Sequence, residues 1–261
     1  KQLRNALCVT QRTNLKTMSG VINHKCIPSA GKWGTYDIDE FTLTKLEDDA
    51  AADLSLITNS GTRTVAVSDD VTFTGDLGTF TTTVSSGKTL TADVDVLTGK
   101  TIDGAGTVAL TDLDTLLSAD LSGITATTFT AAFNADGTFT GDLSAAAVSV
   151  ASTKTLTTTV MKAAGKDIDG AGNVTLTGGV TDDADLTNID ITGTLAFDSN
   201  TTAITAAKTL TLDAVQASKA TSGISGTGNL TITDDGGAAN SSIVSTVTKA
   251  DVITIDAATG N

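Results

Sequence analysis

Cysteine, histidine and clustered carboxylates are the groups with which this chain could attempt chemistry, and they are unevenly placed. Cys8 and Cys26 are the only cysteines and His24 the only histidine, all within the first 46 residues. A metal site built from Cys8, His24 and Cys26 would lack a fourth soft ligand and the paired Cys-x-x-Cys arms that structural zinc sites use. In an exported protein the two cysteines, 18 residues apart, would instead join as a disulfide. By the loop-entropy argument such a bridge stabilises a small head by about 3 kcal/mol. Free thiols in a reducing compartment, or bridges between subunits, are the competing readings.

The carboxylates gather at turns: Asp69-Asp70, Asp112 with Asp114, Asp182-Asp183 with Asp185, and Asp234-Asp235. Asp182, Asp183 and Asp185 are the candidate calcium ligands, since Ca²⁺ takes several oxygen ligands. The EF-hand spacing and the Gly-Gly-x-Gly-x-Asp repeat of calcium-loaded solenoids are both missing, and a solvated acidic turn competes with the metal reading. Ca²⁺ is therefore the one ion worth testing, and no other cofactor is expected. Gly104-Ala105-Gly106 lacks the third glycine and the following helix of a nucleotide-binding loop, and it recurs as a turn. Asn173, Asn200, Asn229 and Asn240 each begin an Asn-x-Ser/Thr sequon. With no histidine beyond residue 46 and no paired carboxylates in an apolar setting, we expect no enzyme. A β-helix polysaccharide lyase or hydrolase is the best enzymatic alternative.

Positioning these residues is a chain of 261 residues, 39% of them apolar, with 52 threonines, one proline and 3% aromatics. Threonine is β-branched and tolerates one wet face, which favours half-buried strands. A net charge of −14 repels phosphates and anionic headgroups, so nucleic acid and the membrane surface are poor partners. No run of about 18 apolar residues is present to span a bilayer.

Composition changes near residue 47. Residues 1–46 form a basic head with seven basic and three acidic residues, a net of +4, and hold the only proline, tryptophan and tyrosine. The acidic remainder, residues 47–261, carries nine basic and 27 acidic residues, a net of −18. It is repetitive. Ala-Asp-Leu begins repeats at 52, 119 and 184, with a partial fourth near 239. Thr72-Phe73-Thr74-Gly75-Asp76-Leu77 returns as Thr138-Phe139-Thr140-Gly141-Asp142-Leu143, and Lys88-Thr89-Leu90-Thr91 returns at Lys154 and Lys208. Runs such as Thr209-Leu210-Thr211-Leu212 alternate with period two, and Gly, Asp, Asn and Ser fall between them. Strand-like runs restart at Thr72, Thr89, Thr107 and about Thr125. Each step reads as one coil, which predicts an all-β fold: a parallel β-solenoid of coils of about 17–18 residues, about four per long repeat, behind a small disulfide-bearing head.

The words Gly104-Ala105-Gly106-Thr107-Val108-Ala109-Leu110-Thr111, Gly170-Ala171-Gly172-Asn173-Val174-Thr175-Leu176-Thr177 and Gly226-Thr227-Gly228-Asn229-Leu230-Thr231-Ile232-Thr233 carry a resemblance. Residues 52–261 resemble the Thr-, Gly- and Asp-rich repeats of bacterial and archaeal extracellular adhesins and surface-layer-like proteins, including filamentous-haemagglutinin and autotransporter passengers. The resemblance implies a right-handed β-solenoid exported to the cell surface and used as a stalk, fibre or coat, with glycans or a cell surface as further partners.

The expected function is that of an extracellular structural protein that is its own partner. The fourth repeat is short, and an uncapped coil presents an open strand edge. The basic head of one copy would dock on the acidic end of the next, head to tail, to form a homopolymeric surface filament or matrix fibre. Strand addition would join them: Ala6, Leu7 and Val9, or Thr42 and Leu43, against Val252, Ile253 and Ile255. An adhesin stalk or surface-layer module is the alternative.

Overall fold

The computed structural model of the chain describes residues 18–20, 40–43, 46, 50–55, 62–115, 117–198, 203–219, 224–233 and 252–256. They form an all-β, parallel β-solenoid with a few short helices. It divides into two units, residues 1–111 with 119–130, and residues 112–118 with 131–261.

The first unit holds β1 (Met18–Gly20), β2 (Glu40–Leu43), β3 (Thr62–Val67), β4 (Val71–Phe73), β5 (Thr81–Val84), β6 (Thr89–Ala92), α1 (Val94–Leu97), β7 (Thr101–Asp103) and β8 (Thr107–Leu110). Its strands pair in the orders β1-β2-β3-β5-β7 and β4-β6-β8. The residues of β9 (Thr128–Phe133) are shared between the units.

The second unit begins with β10 (Gly137–Thr138), β11 (Ala147–Val150), β12 (Thr155–Thr159), α2 (Val160–Ala163), β13 (Ile168–Gly170), β14 (Asn173–Thr177), β15 (Ala184–Asp185) and β16 (Ile189–Ile191). It continues with β17 (Leu195–Phe197), β18 (Ala203–Ile204), β19 (Thr209–Asp213), α3 (Ala214–Lys219), β20 (Ser225–Gly226), β21 (Asn229–Thr233) and β22 (Val252–Asp256). Its orders are β11-β13-β16, β10-β12-β14-β17, β15-β19-β21-β22 and β18-β20.

Alternation decides which side of each strand faces inward. In β12, β14 and β21 every second residue is buried, because a strand turns successive side chains to opposite faces. Parallel register then stacks like on like: Leu156 pairs with Val174 and Val174 with Leu195, all fully buried. Burying each such side chain contributes about 1.5–3 kcal/mol. The outward positions form threonine rows, Thr157 beside Thr175 and Thr159 beside Thr177, where β-branched neighbours pack across strands.

The repeat words take fixed places in these ladders. The strand of Lys-Thr-Leu-Thr lies one coil before that of Gly-x-Gly in all three repeats: Thr89 opposite Thr107, Thr155 opposite Asn173, and Thr209 opposite Asn229. Each long repeat supplies one three-strand ladder (β4-β6-β8, β10-β12-β14, β15-β19-β21) and one two-strand ladder (β5-β7, β11-β13, β18-β20).

Coil length is more variable than the even spacing of the repeat words predicts. The predicted spacing holds from Thr64 to Thr81 and from Thr89 to Thr107, whereas Thr81 pairs with Thr101, Ile168 with Ile189 and Ala184 with Leu210. The run near Thr125 follows a different ladder from that of Thr107, since Ile124 bridges Ile102. Strand pairing also crosses the compositional boundary at residue 46: β2 pairs with β3 from Glu40 opposite Thr62 to Leu43 opposite Val65.

Candidate functional site

The aspartate pairs at the turns have partners one coil away. Asp70 Oδ1 accepts the N–H of Thr89 at 2.8 Å, Asp136 that of Thr155 at 2.7 Å, and Asp183 that of Thr209 at 2.9 Å. One carboxylate thus ties each turn to the start of the Lys-Thr-Leu-Thr strand. The preceding aspartate takes the lysine of the same word, Asp69 with Lys88 and Asp182 with Lys208, both at 2.6 Å. Ala135 holds that place in the second repeat.

The candidate calcium ligands are therefore drawn to separate partners. The Lys208 ammonium, then the N–H of Asp183, hold the Asp182 carboxyl below its ordinary value, and Asp182 in return raises Lys208. Asp183 serves Thr209, and Asp185 Oδ1 accepts from the N–H (3.0 Å) and hydroxyl (2.7 Å) of Thr187. Among the described residues, no three His, Cys, Asp or Glu side chains gather in a group that could hold a metal ion.

Asp185 exemplifies the repeated heading. In Ala-Asp-Leu the alanine and leucine are buried at all three sites. The aspartate folds back on the residue two positions on: Asp53 on Ser55, Asp120 on Ser122, Asp185 on Thr187. This is the turn that Asp favours because its side chain mimics a backbone carbonyl. The Ser122 hydroxyl and N–H hold Asp120 below its ordinary pKa. Asp76 and Asp142 of Thr-Gly-Asp-Leu make the same turn to Gly78 and Ser144, each at 2.7 Å. At Asp76, Lys100 Nζ adds an ion pair at 2.9 Å and also reaches the Gly78 carbonyl at 2.9 Å. The Gly78 N–H first, and Lys100 second, hold the Asp76 carboxyl below its ordinary value.

The Gly-x-Gly words are places of close backbone approach. Gly104, Gly170 and Gly226 have φ of 111°, 110° and 115°. A Cβ on them would stand 2.2–2.4 Å from the carbonyl oxygen of Val84, Val150 or Ile204 on the preceding coil. The N–H two residues on then donates to that same oxygen, Gly106 to Val84 and Gly172 to Val150, both at 3.0 Å, and Gly228 to Ile204 at 3.1 Å. These donors are spent on the solenoid. Of the sequon asparagines, Asn173 Oδ1 accepts the Thr194 N–H at 2.9 Å.

Ala6, Leu7, Cys8, Val9, His24 and Cys26 lie outside the described residues. Thr42 and Leu43 belong to β2, which pairs on one edge with β1 and on the other with β3. Val252, Ile253 and Ile255 belong to β22, the outer strand of its sheet among the described residues, in register with β21 along its whole length.

One arrangement escaped the sequence reading. In the second unit, Gly141, Asp142, Leu143, Met161, Lys162 and Lys166 line a cleft of about 210 Å³. Lys162 Nζ donates to the Gly141 carbonyl at 2.6 Å and Lys166 Nζ to the Ser144 carbonyl. Thr159, one residue before α2, accepts the Lys162 N–H with its hydroxyl and fixes that turn. The signal was available in the repeat columns: one long repeat earlier, Asp95 and Val96 stand where Met161 and Lys162 stand here.

No helix among the described residues is long and apolar enough to cross a membrane. No family model, curated protein or solved structure matches the chain, so the resemblance to adhesin repeats extends, on the geometry above, to the parallel β-solenoid alone.

Proposed function

We propose that this chain is an extracellular structural protein, a subunit that joins copies of itself head to tail into a surface filament or matrix fibre. One observation carries the reading. Among the described residues, β22 sits at the outer position of β15-β19-β21-β22, in parallel register with β21 from Asn229 opposite Val252 to Thr233 opposite Asp256. A strand so aligned is a template for one more parallel strand. The +4 head and −18 remainder supply the long-range attraction that would bring one copy's head to another's body. Because β2 already has a partner on each edge, the donated strand in this proposal is the segment 6–9. Asp69, Asp70, Asp136, Asp182 and Asp183, each bonded to a backbone N–H or a lysine one coil away, suit a scaffold that holds its own coils together.

Electron microscopy of the full chain at neutral pH, in low and in high salt, tests this. Filaments at low salt that thin out at high salt are the expected result for charge-steered docking. Single particles at every concentration and salt would overturn the proposal.

A further inference from the structure

The cleft beside α2 reverses the charge of the chain around it. In the first unit, the same places of the repeat hold Asp76, Asp95, Val96 and Lys100, a formal charge of −1. There, Lys100 closes on Asp76. In the second unit they hold Asp142, Met161, Lys162 and Lys166, a formal charge of +1 in a remainder of −18. Two ammonium groups converge on one turn, and each spends one N–H on a backbone carbonyl, of Gly141 or of Ser144. Lysine carries three donors, so four N–H bonds remain between the two for something else. Asp142 is turned onto the Ser144 N–H at 2.7 Å, and no ion pair joins it to either lysine among the described residues. Met161 and Leu143 add an apolar wall to the cleft.

The geometry points to a binding site for a small carboxylate ligand, such as an acidic sugar, held between Lys162 and Lys166. A carboxylate matches the +1 charge and offers two oxygens to two ammoniums as charge-assisted hydrogen bonds, whereas a phosphate dianion would be pressed against Asp142. Both lysines are half-buried, so water screens the attraction and the dissociation constant is on the order of millimolar. The site does not rest on self-assembly, and its test reads lysines one by one whatever the assembly state.

D-Glucuronate, D-glucose and inorganic phosphate are the probes, at low salt. Acetylation of each lysine by an N-hydroxysuccinimide ester, followed by peptide mass spectrometry, reports protection, and calorimetry reports affinity. Glucuronate slows acetylation of Lys162 and Lys166 at least about threefold near saturation and leaves Lys88, Lys100 and Lys208 unchanged. Lys162→Val, which installs the residue of the first unit, weakens binding at least about fivefold. Met161→Asp, which leaves both lysines in place, does the same. Equal protection by glucose, protection spread over all lysines, tighter binding of phosphate than of glucuronate, or undiminished binding in both variants would each overturn the assignment.

Discussion

Replacing Gly104 by alanine tests the close stacking of the coils. Gly104 has φ of +111°, and a Cβ there would lie 2.2 Å from the Val84 oxygen and 2.7 Å from its nitrogen. Real Cβ contacts essentially never fall below 3.0 Å, so β5 and the turn after β7 must part by roughly 0.8 Å, backbone against backbone. That movement stretches the 3.0 Å bond from the Gly106 N–H to Val84, worth about 1 kcal/mol. It adds overpacking of about 1–3 kcal/mol and backbone strain of about 1–3 kcal/mol. The expected loss is about 3–7 kcal/mol. Gly99 is the control, with φ of +65° and nothing within 4 Å of its Cβ position. Gly99→Ala should cost about 1 kcal/mol, from the left-handed backbone alone. Hydrogen exchange of peptides covering 81–110, with urea unfolding alongside, reads the first unit directly. If Gly104→Ala falls within about 1 kcal/mol of Gly99→Ala, the claim that this word marks coil-to-coil contact is refuted.

Thr82 is fully buried, and among the described residues its hydroxyl has no hydrogen-bond partner. Thr82→Val should therefore raise the urea midpoint, by about 1–2 kcal/mol of stability. Thr158→Val removes a hydroxyl bonded to the Phe139 carbonyl at 3.1 Å, and the same measurement should show no such gain. Asp136→Ala frees the Thr155 N–H, and amide exchange at Thr155 should quicken about fivefold to tenfold, the worth of one modest hydrogen bond. Asp76 is held below its ordinary 3.8 by the Gly78 N–H and then by Lys100. A depressed carboxylate contributes stability that is present above pH 3.8 and lost as pH falls through its lower folded-state value. Asp76→Asn should flatten acid unfolding of the first unit in that window, and an unchanged profile would contradict the assignment.

Where chemistry was local, the sequence disclosed it. Thr155-Leu156-Thr157 alternates because a strand does, Ala-Asp-Leu recurs because one turn needs an aspartate between two buried residues, and Gly170 recurs because Val150 is too near for a Cβ. Coil length was less legible, since parallel pairing is set by contacts between residues as distant along the chain as Ala184 and Leu210. Asp182, Asp183 and Asp185 read as candidate calcium ligands from their spacing alone. Asp182 pairs with Lys208 of the next coil and Asp183 takes the Thr209 N–H, partners that only the register reveals. The lysine cleft went unread because Lys162 and Lys166 are ordinary as single residues. It shows only when their columns are set against Val96 and Lys100.

Head-to-tail strand addition is tested most directly by a covalent trap. With residues 6–9 laid beside Val252, Ile253, Thr254 and Ile255, Cys8 stands level with Thr254 at the strand spacing of about 4.8 Å, within the range a disulfide can bridge. The full chain carrying Cys26→Ser and Thr254→Cys, gently oxidised and run on a non-reducing gel, should yield a ladder of covalent multimers. Adding Cys8→Ser should collapse the ladder to a dimer at most. A variant that stays monomeric under oxidation, or that stops at a dimer while Cys8 is present, would contradict the account.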